Sequence, residues 1–405
     1  MLEIPRFFGR RRPNSDQMGD CPRVLVLSNL FPNNVQPGRA PFNRQQFVHL
    51  GKRTSVHVEA VVPWQFGRGN TQAINRKEVI GGLTVCHRRY PSIPGVPTLN
   101  AGLLAARLIR SFRARASEFD VILASYAYPD GCAGILLGQA IGLPVVVKCH
   151  GSDLNRVPED RGPRLQLEQL LPRADAVMVV SQKLGEAALA LGVNQAKIKV
   201  VYNGVDHERF KVQDRSEARE ILAIDQNAEL LVCVSHLAEH KGTQDLLDAI
   251  DKLVRMRPGV TVAFVGDGPL LEAVQNHARR LPQNKARIMA VGRVDHAQVP
   301  TWMAASDFVT LPSWDEGMPN VVREAHVMGR AVIATDVGGI PEAVNDTVLG
   351  YLVPRKQPLS LATAIAKAFE TGAPHTQLVR DKAKVATWDE SADALLRVLS
   401  EAAFT

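Results

Sequence analysis

The chain has no Cys-x-x-Cys pair. Its five cysteines, Cys21, Cys86, Cys132, Cys149 and Cys233, are scattered, which argues against a disulfide framework or a cysteine zinc site and for a reducing cytoplasm. It also lacks an uninterrupted apolar run of about 18 residues, so no spanning helix is expected. The first residues carry no long apolar core of the kind a secretory signal needs. Lysine and arginine number 48 against 41 acids, a net charge of +7, which favours anionic partners in general. The positive charge is dispersed and accompanies no recognised base-reading module, so nucleic acid is set aside as a partner.

With 405 residues, 45% hydrophobic and 22% charged, the chain can build sizeable cores and fits two domains of about 180 to 200 residues each. Residues 1–20 contain Arg6-Phe7-Phe8-Gly9-Arg10-Arg11-Arg12. Two readings stand open for them: a disordered basic leader, or a weak membrane-surface anchor with aromatics between cations.

Beyond the leader, short apolar runs alternate with helix-like stretches. Arg23–Ser28, Val56–Val62, Asp120–Ala124, Pro144–Lys148 and Ala176–Val180 read as strands covered on both faces. Phe42–Leu50, Ala101–Phe112 and Gly131–Ile141 read as helices between them. A second set of strands covers Glu229–Val234, Val260–Val265, Arg287–Val291, Asp307–Leu311 and Arg330–Thr335. This alternation argues for parallel sheets with helices on both faces. The expected organisation is α/β, with two doubly wound domains facing each other over a cleft, over 21–207 and 208–385. The polar stretch Asp206–Ala228 marks the break. The last segment, 386–405, has a helical pattern over Trp388–Ala403 and is expected to cross back to the first domain.

In open α/β sheets ligands sit beyond the C-terminal ends of strands, and several polar groups fall there. His150-Gly151-Ser152-Asp153, Tyr126, Tyr128-Pro129-Asp130-Gly131 and Asn203-Gly204-Val205-Asp206 do so in the first half. His236 to Gly242, Gly266-Asp267-Gly268-Pro269 and Gly292-Arg293-Val294 do so in the second. Singly each has a structural reading. The glycine pairs are turn signals, Lys241 could be a solvated residue before a helix capped by Thr243, and either tyrosine could pack inward. Ser181 is expected to cap the helix that follows its strand.

The segment Ser313 to Ala325 is more informative. Ala305–Pro312 reads as a buried strand running into a loop. Pro319 suits a first helical turn. Val321, Val322, Ala325 and Met328 recur at helical spacing, and Gly329 is a C-terminal stop. Glu316 then sits on the loop and Glu324 inside the helix, with peptide N–H groups between them. Such a terminus attracts phosphate, while flanking carboxylates accept hydrogen bonds from hydroxyls. The layout suits a ligand anionic in the middle and hydroxylated at both ends, which describes a nucleotide-sugar.

Over about Arg23 to Ala402 the chain resembles the family 4 glycosyltransferases, retaining enzymes of GT-B fold. His150-Gly151-Ser152-Asp153, Asn203-Gly204-Val205-Asp206, Lys241-Gly242, Gly266-Asp267-Gly268-Pro269, Gly292-Arg293-Val294 and the Glu316/Glu324 pair carry the likeness. Asn29-Leu30-Phe31-Pro32 to Gln45-Gln46, with Tyr128-Pro129-Asp130-Gly131, is similar to bacterial transferases that build exopolysaccharide or teichuronic-acid-like polymers. The resemblance implies transfer of a hexosyl unit from a nucleotide-diphosphate sugar to a glycan or lipid-linked acceptor. From the cysteine pattern and the basic first residues, the expected location is the cytoplasm or the inner face of an anionic membrane that the protein touches peripherally.

It also implies roles. His150 would orient the donor sugar, Lys241 would neutralise the leaving diphosphate, and Glu316 would hold sugar hydroxyls. Glu324 would accept the ribose hydroxyls, and Gly317, Met318, Pro319, Asn320 and Val321 would line sugar and diphosphate. Arg293 and Val294 would meet the base, and Gly38 would approach the diphosphate from the first domain. Tyr126, Tyr128, Asp130 and Asp153 fall on the acceptor side. His236 stands where the family carries an arginine, five residues before the lysine, and Pro37-Gly38-Arg39 replaces a Gly-Gly pair. An arginine is always charged and bidentate, whereas a histidine is charged only at lower pH. No Asp-x-Asp occurs, so no metal cofactor is expected; the transition state would combine oxocarbenium character with charge on the diphosphate. Two alternatives remain at this stage: another GT-B chemistry such as nucleotide-sugar epimerisation, or a non-catalytic glycan- or nucleotide-binding scaffold.

Overall fold

The computed structural model describes residues 21–64, 73–93, 95–281 and 286–405. The Arg6–Arg12 cluster lies outside them. The chain divides into two compact units, Met1–Gly204 with Trp388–Thr405, and Val205–Thr387. Among the described residues no helix is long and apolar enough to cross a membrane.

Among the described residues the first unit is built on eight strands: β1 (Val24–Ser28), β2 (Val56–Trp64), β3 (Lys77–Ile80), β4 (Leu83–Pro91), β5 (Val121–Ser125), β6 (Val145–Cys149), β7 (Ala176–Val179) and β8 (Ile198–Val200). Their order is β3-β4-β2-β1-β5-β6-β7-β8, and every pairing is parallel except β3 with β4. That hairpin turns on Gly81-Gly82, with φ of 58° and 85°, the double left-handed turn that matches strand twist. β1, β5 and β6 are buried along their whole length, which explains their continuous apolar sequence. One face packs on Phe47 and Leu50 of the helix Pro41–Gly51 and on Leu395 and Leu399 of the helix Trp388–Phe404. Gln46 Nε2 donates to Ser391 Oγ at 2.9 Å, and Arg53 binds Asp393, so the chain end is part of the first unit. Ser181 caps the helix Gln182–Ala190, its Oγ accepting from Leu184 N at 3.2 Å.

The second unit has, among the described residues, six parallel strands: β9 (Leu230–Val234), β10 (Thr261–Val265), β11 (Arg287–Gly292), β12 (Phe308–Leu311), β13 (Val332–Thr335) and β14 (Gly350–Val353), ordered β11-β10-β9-β12-β13-β14. Leu230 and Val232 enter one core, Leu231 and Cys233 the other. Successive side chains alternate across a sheet covered on both faces.

Three sequence expectations are corrected here. The supposed break over Asp206–Ala228 holds a helix, Arg215–Ile221, capped by Asp214 accepting from Glu217 N at 2.9 Å. It escapes an apolar pattern because its buried positions are Ala218 and the charged Arg219. Arg219 is satisfied by Ala305 O at 2.9 Å, Gln226 O at 2.6 Å and Asp307 Oδ2 at 3.0 Å. Thr243 is not a cap; Gly242, left-handed at φ 68°, holds that position before the helix Thr243–Met256. Pro319 precedes the helix Asn320–Val327 as its cap residue rather than lying in its first turn, and Gly329, at φ 72°, follows its end.

Candidate active site

Strand order reverses between β9 and β12 in the second unit. Loops leaving the ends of these two neighbours diverge and open the crevice where α/β sheets bind ligands. The loop after β9 carries Lys241 and the loop after β12 carries Glu316. Lys241 Nζ donates to Glu316 Oε1 at 2.6 Å, and Ser313 Oγ donates to the same oxygen at 2.7 Å. The pair is neither fully exposed nor sealed, with side-chain exposures of 25% and 11%.

Both loops are held by their neighbours. Trp314 N donates to His240 O at 2.9 Å, and its Nε1 to Asp245 Oδ2 at 2.5 Å. Arg355 Nη1 donates to Trp314 O at 2.9 Å, while Lys356 lies over the indole at 3.9 Å, a cation–π contact. Gly266 is required by packing: at φ 148°, a Cβ there would come within 1.8 Å of Ser235 O. The Gly-Asp-Gly-Pro segment is therefore more than a turn, because it lets the β10 loop touch the β9 loop.

The helix Asn320–Val327 starts beside the Glu316 loop. First-turn amides of a helix have no carbonyl within it to bond, so their positive end faces outward. Gly317, Met318 and Pro319 are buried, and Asn320, Val321 and Glu324 partly so. Loss of solvation pushes the Glu324 carboxyl up to about 7, and Arg209 opposes this. His236 and Arg293 are exposed and Val294 half-buried. Among the described residues none of these three bonds to Lys241 or Glu316. Gly292 O accepts from Gly266 N at 2.8 Å, which fixes where the Arg293–Val294 peptide begins.

In the first unit, order reverses between β1 and β5. Gly38 lies on the exposed loop after β1. That loop is tied down by Asp130, whose Oδ2 accepts from Asn29 N at 2.6 Å, and by Arg39 Nε donating to Asn29 O at 3.1 Å. Burial pushes the Asp130 carboxyl up to about 8. Asp153 accepts from His150 N and Ala127 N at 2.9 Å and from Gly151 N at 2.8 Å. Neither aspartate has exposed surface, so both hold loops rather than face solvent. Tyr128 packs inward, its hydroxyl donating to Pro97 O at 2.5 Å. Tyr126 is half-buried and shares a hydrogen bond of 2.9 Å with Ser152 Oγ. His150 Nε2 lies 2.8 Å from Ser125 Oγ, with the Phe42 ring 4.9 Å from its own. Burial and the neighbouring Lys148 hold its pKa well below the usual imidazole range.

Sequence reasoning assigned no role to Ser313, Asn43 or Ser125. The signal for Asn43 was present: it and Gln46 are polar residues on the helix face that buries Phe47 and Leu50.

Two doubly wound α/β units, each with a switch point in its strand order, are the architecture of the GT-B fold. The model "Glycosyltransferase Family 4" matches residues 60–209, and "Glycosyl transferases group 1" matches residues 228–371. TuaC of Bacillus subtilis (strain 168), named as a teichuronic acid biosynthesis glycosyltransferase, is 27% identical over 360 residues, covering 85% of this chain and 88% of that protein. A D-inositol 3-phosphate glycosyltransferase of Catenulispora acidiphila is 30% identical over 276 residues, 64% of each chain. Among solved structures, Anabaena Alr3699/HepE in complex with UDP superposes with a TM-score of 0.70 at 22% identity, covering 94% of this chain and 100% of that one. Sucrose-phosphate synthase from Thermosynechococcus elongatus superposes with a TM-score of 0.73 at 19% identity, covering 94% and 98%. The chain belongs to the family 4 glycosyltransferases, and it is a transferase enzyme.

Proposed function

We propose that this enzyme is a retaining hexosyltransferase that uses a nucleotide-diphosphate sugar and builds a cell-surface polysaccharide or its lipid-linked precursor. The observation that carries the reading is the Lys241–Glu316 contact at the strand-order reversal, beside the helix start that leads to Glu324. Lys241 and the helix amides stabilise the departing diphosphate, the electrostatic contribution that counts most in such reactions. Glu316 and Ser313 hold hydroxyls of the transferred sugar, and Glu324 accepts from the ribose. The bond from the anomeric carbon to the diphosphate breaks while the acceptor oxygen attacks from the same face. The acceptor's proton passes to the departing phosphate.

TuaC supports the polymer class through its name, and HepE supports the donor class through its UDP and UDP-glucose complexes. The role of Lys241, with the sequence's lack of Asp-x-Asp, supports a reaction that needs no metal. The basic composition supports peripheral contact with an anionic membrane on the cytoplasmic side. Release of nucleoside diphosphate from a panel of uridine and guanosine diphosphate sugars, with lipid-linked acceptors, tests the reading. The product's anomeric configuration tests retention. A chain silent with every donor and acceptor contradicts it.

A further inference from the structure

In the first unit a run of polar groups leads from the β1 loop to His150, and each link restricts the next. Leu30 O can only accept, so the Asn43 atom 2.9 Å from it is the amide nitrogen. Asn43 Oδ1 therefore faces the other way, 3.1 Å from Ser125 Oγ. An amide oxygen cannot donate, so the single hydroxyl hydrogen of Ser125 points to it. Only lone pairs remain on Ser125 Oγ for His150 Nε2, 2.8 Å away. A hydrogen bond there requires the hydrogen to sit on Nε2. Turning the hydroxyl to the ring instead would leave two oxygens facing each other with no hydrogen between them. Asn43 and Ser125 have no exposed surface, so that unmade bond would carry its full desolvation penalty.

We propose that Asn43 and Ser125 are positioning residues that hold the His150 ring as its Nε2–H tautomer, so that Nδ1 accepts a hydrogen bond from a sugar hydroxyl. This rests on the reading of His150 as a residue that touches the transferred sugar. His150 is partly exposed, and among the described residues Nδ1 has no protein partner. The Phe42 ring, with centroids 4.9 Å apart, restrains the imidazole plane. The uncharged ring set by burial and Lys148 leaves one nitrogen free to accept. The opposite tautomer would present a donor at the same place and select a different hydroxyl orientation.

The test is a long-range proton–nitrogen spectrum of the full chain with labelled histidine, the His150 signals being assigned by their loss in His150→Gln. The wild type is expected to show a protonated Nε2 and an unprotonated Nδ1. Asn43→Ala frees the Ser125 hydroxyl to turn to the ring, so the Nδ1–H form should appear, and kcat should fall about tenfold with donor KM within about twofold. A wild-type Nδ1–H ring overturns the proposal without any variant, which covers the case of an Asn43→Ala chain that does not fold. So does a folded Asn43→Ala whose tautomer is unmoved. A shifted tautomer with unchanged kcat removes the positioning role yet leaves the transferase reading standing. Failure of the wild type to turn over any donor sinks the transferase reading and the role of His150 that rests on it, while the spectrum still decides the tautomer.

Discussion

Lys241 Nζ and Glu316 Oε1 lie 2.6 Å apart, and their loops leave β9 and β12, the neighbours between which strand order reverses. Each charge compensates the other. A diphosphate that draws Lys241 competes with Glu316 for it, and hydroxyl groups can then take the lysine's place on the carboxylate. In the proposed reading, this one contact would link recognition of the anion to recognition of the sugar.

Glu316→Gln keeps the side chain's shape and removes the charge that Lys241 and Ser313 both meet. Turnover, measured as nucleoside diphosphate release, should fall about 10²–10³-fold. Unfolding should shift by no more than about 1 kcal/mol, because a partly exposed ion pair contributes little to stability. Unchanged turnover would remove Glu316 from the site.

Gly338→Ala tests the shape of the same loop. Gly338 has φ 54°, and a Cβ there would lie 1.8 Å from Glu316 O. Backbone has to move, so a loss of about 1–3 kcal/mol is expected in urea unfolding. Donor affinity should drop with it, since the Gly339 N to Gly317 O bond of 2.8 Å belongs to the displaced segment.

Asp307→Ala should damage stability through a different mechanism. Asp307 answers the buried Arg219 and also accepts from Leu230 N at 2.8 Å. Removing it strands a guanidinium in the core, at a cost of about 3–5 kcal/mol. The urea midpoint should fall accordingly, while donor affinity below the transition stays near wild type.

Glu324 supplies a pH signature. Its carboxyl titrates near 7 in the folded chain, raised from 4.5 by lost solvation. Between those values the folded state holds a proton that the unfolded state has released, so this group's contribution to stability falls as pH rises through the window. Wild type minus Glu324→Gln should show that negative slope in unfolding free energy. Donor affinity should move the other way, rising through pH 7 as the carboxylate forms and can accept from the ribose; Glu324→Gln should flatten this rise.

Much of the fold was legible because β1, β5, β6, β9 and β10 are buried on both faces and so read as continuous apolar runs. The β3–β4 hairpin was missed although Gly81-Gly82 marks it, because β3 alternates between exposed and half-buried residues. The helix Arg215–Ile221 was missed because a buried arginine takes the place of an apolar side chain. At the candidate site, Glu316 and Glu324 could be picked out by their placement on a strand-end loop and in a helix start, whereas Lys241 stood out only through the family resemblance of Lys241-Gly242. The partnership of Asn43 with Ser125 could not. It joins residues 82 positions apart, and only the pairing of β1 with β5 brings their surroundings together.

Calorimetric titration of a nucleoside diphosphate into the wild type and Lys241→Ala tests the central claim most directly. The wild type should bind, and the alanine variant should bind at least tenfold more weakly, a difference of about 1.4 kcal/mol. Equal affinity in a folded Lys241→Ala chain would place the diphosphate elsewhere and contradict the account.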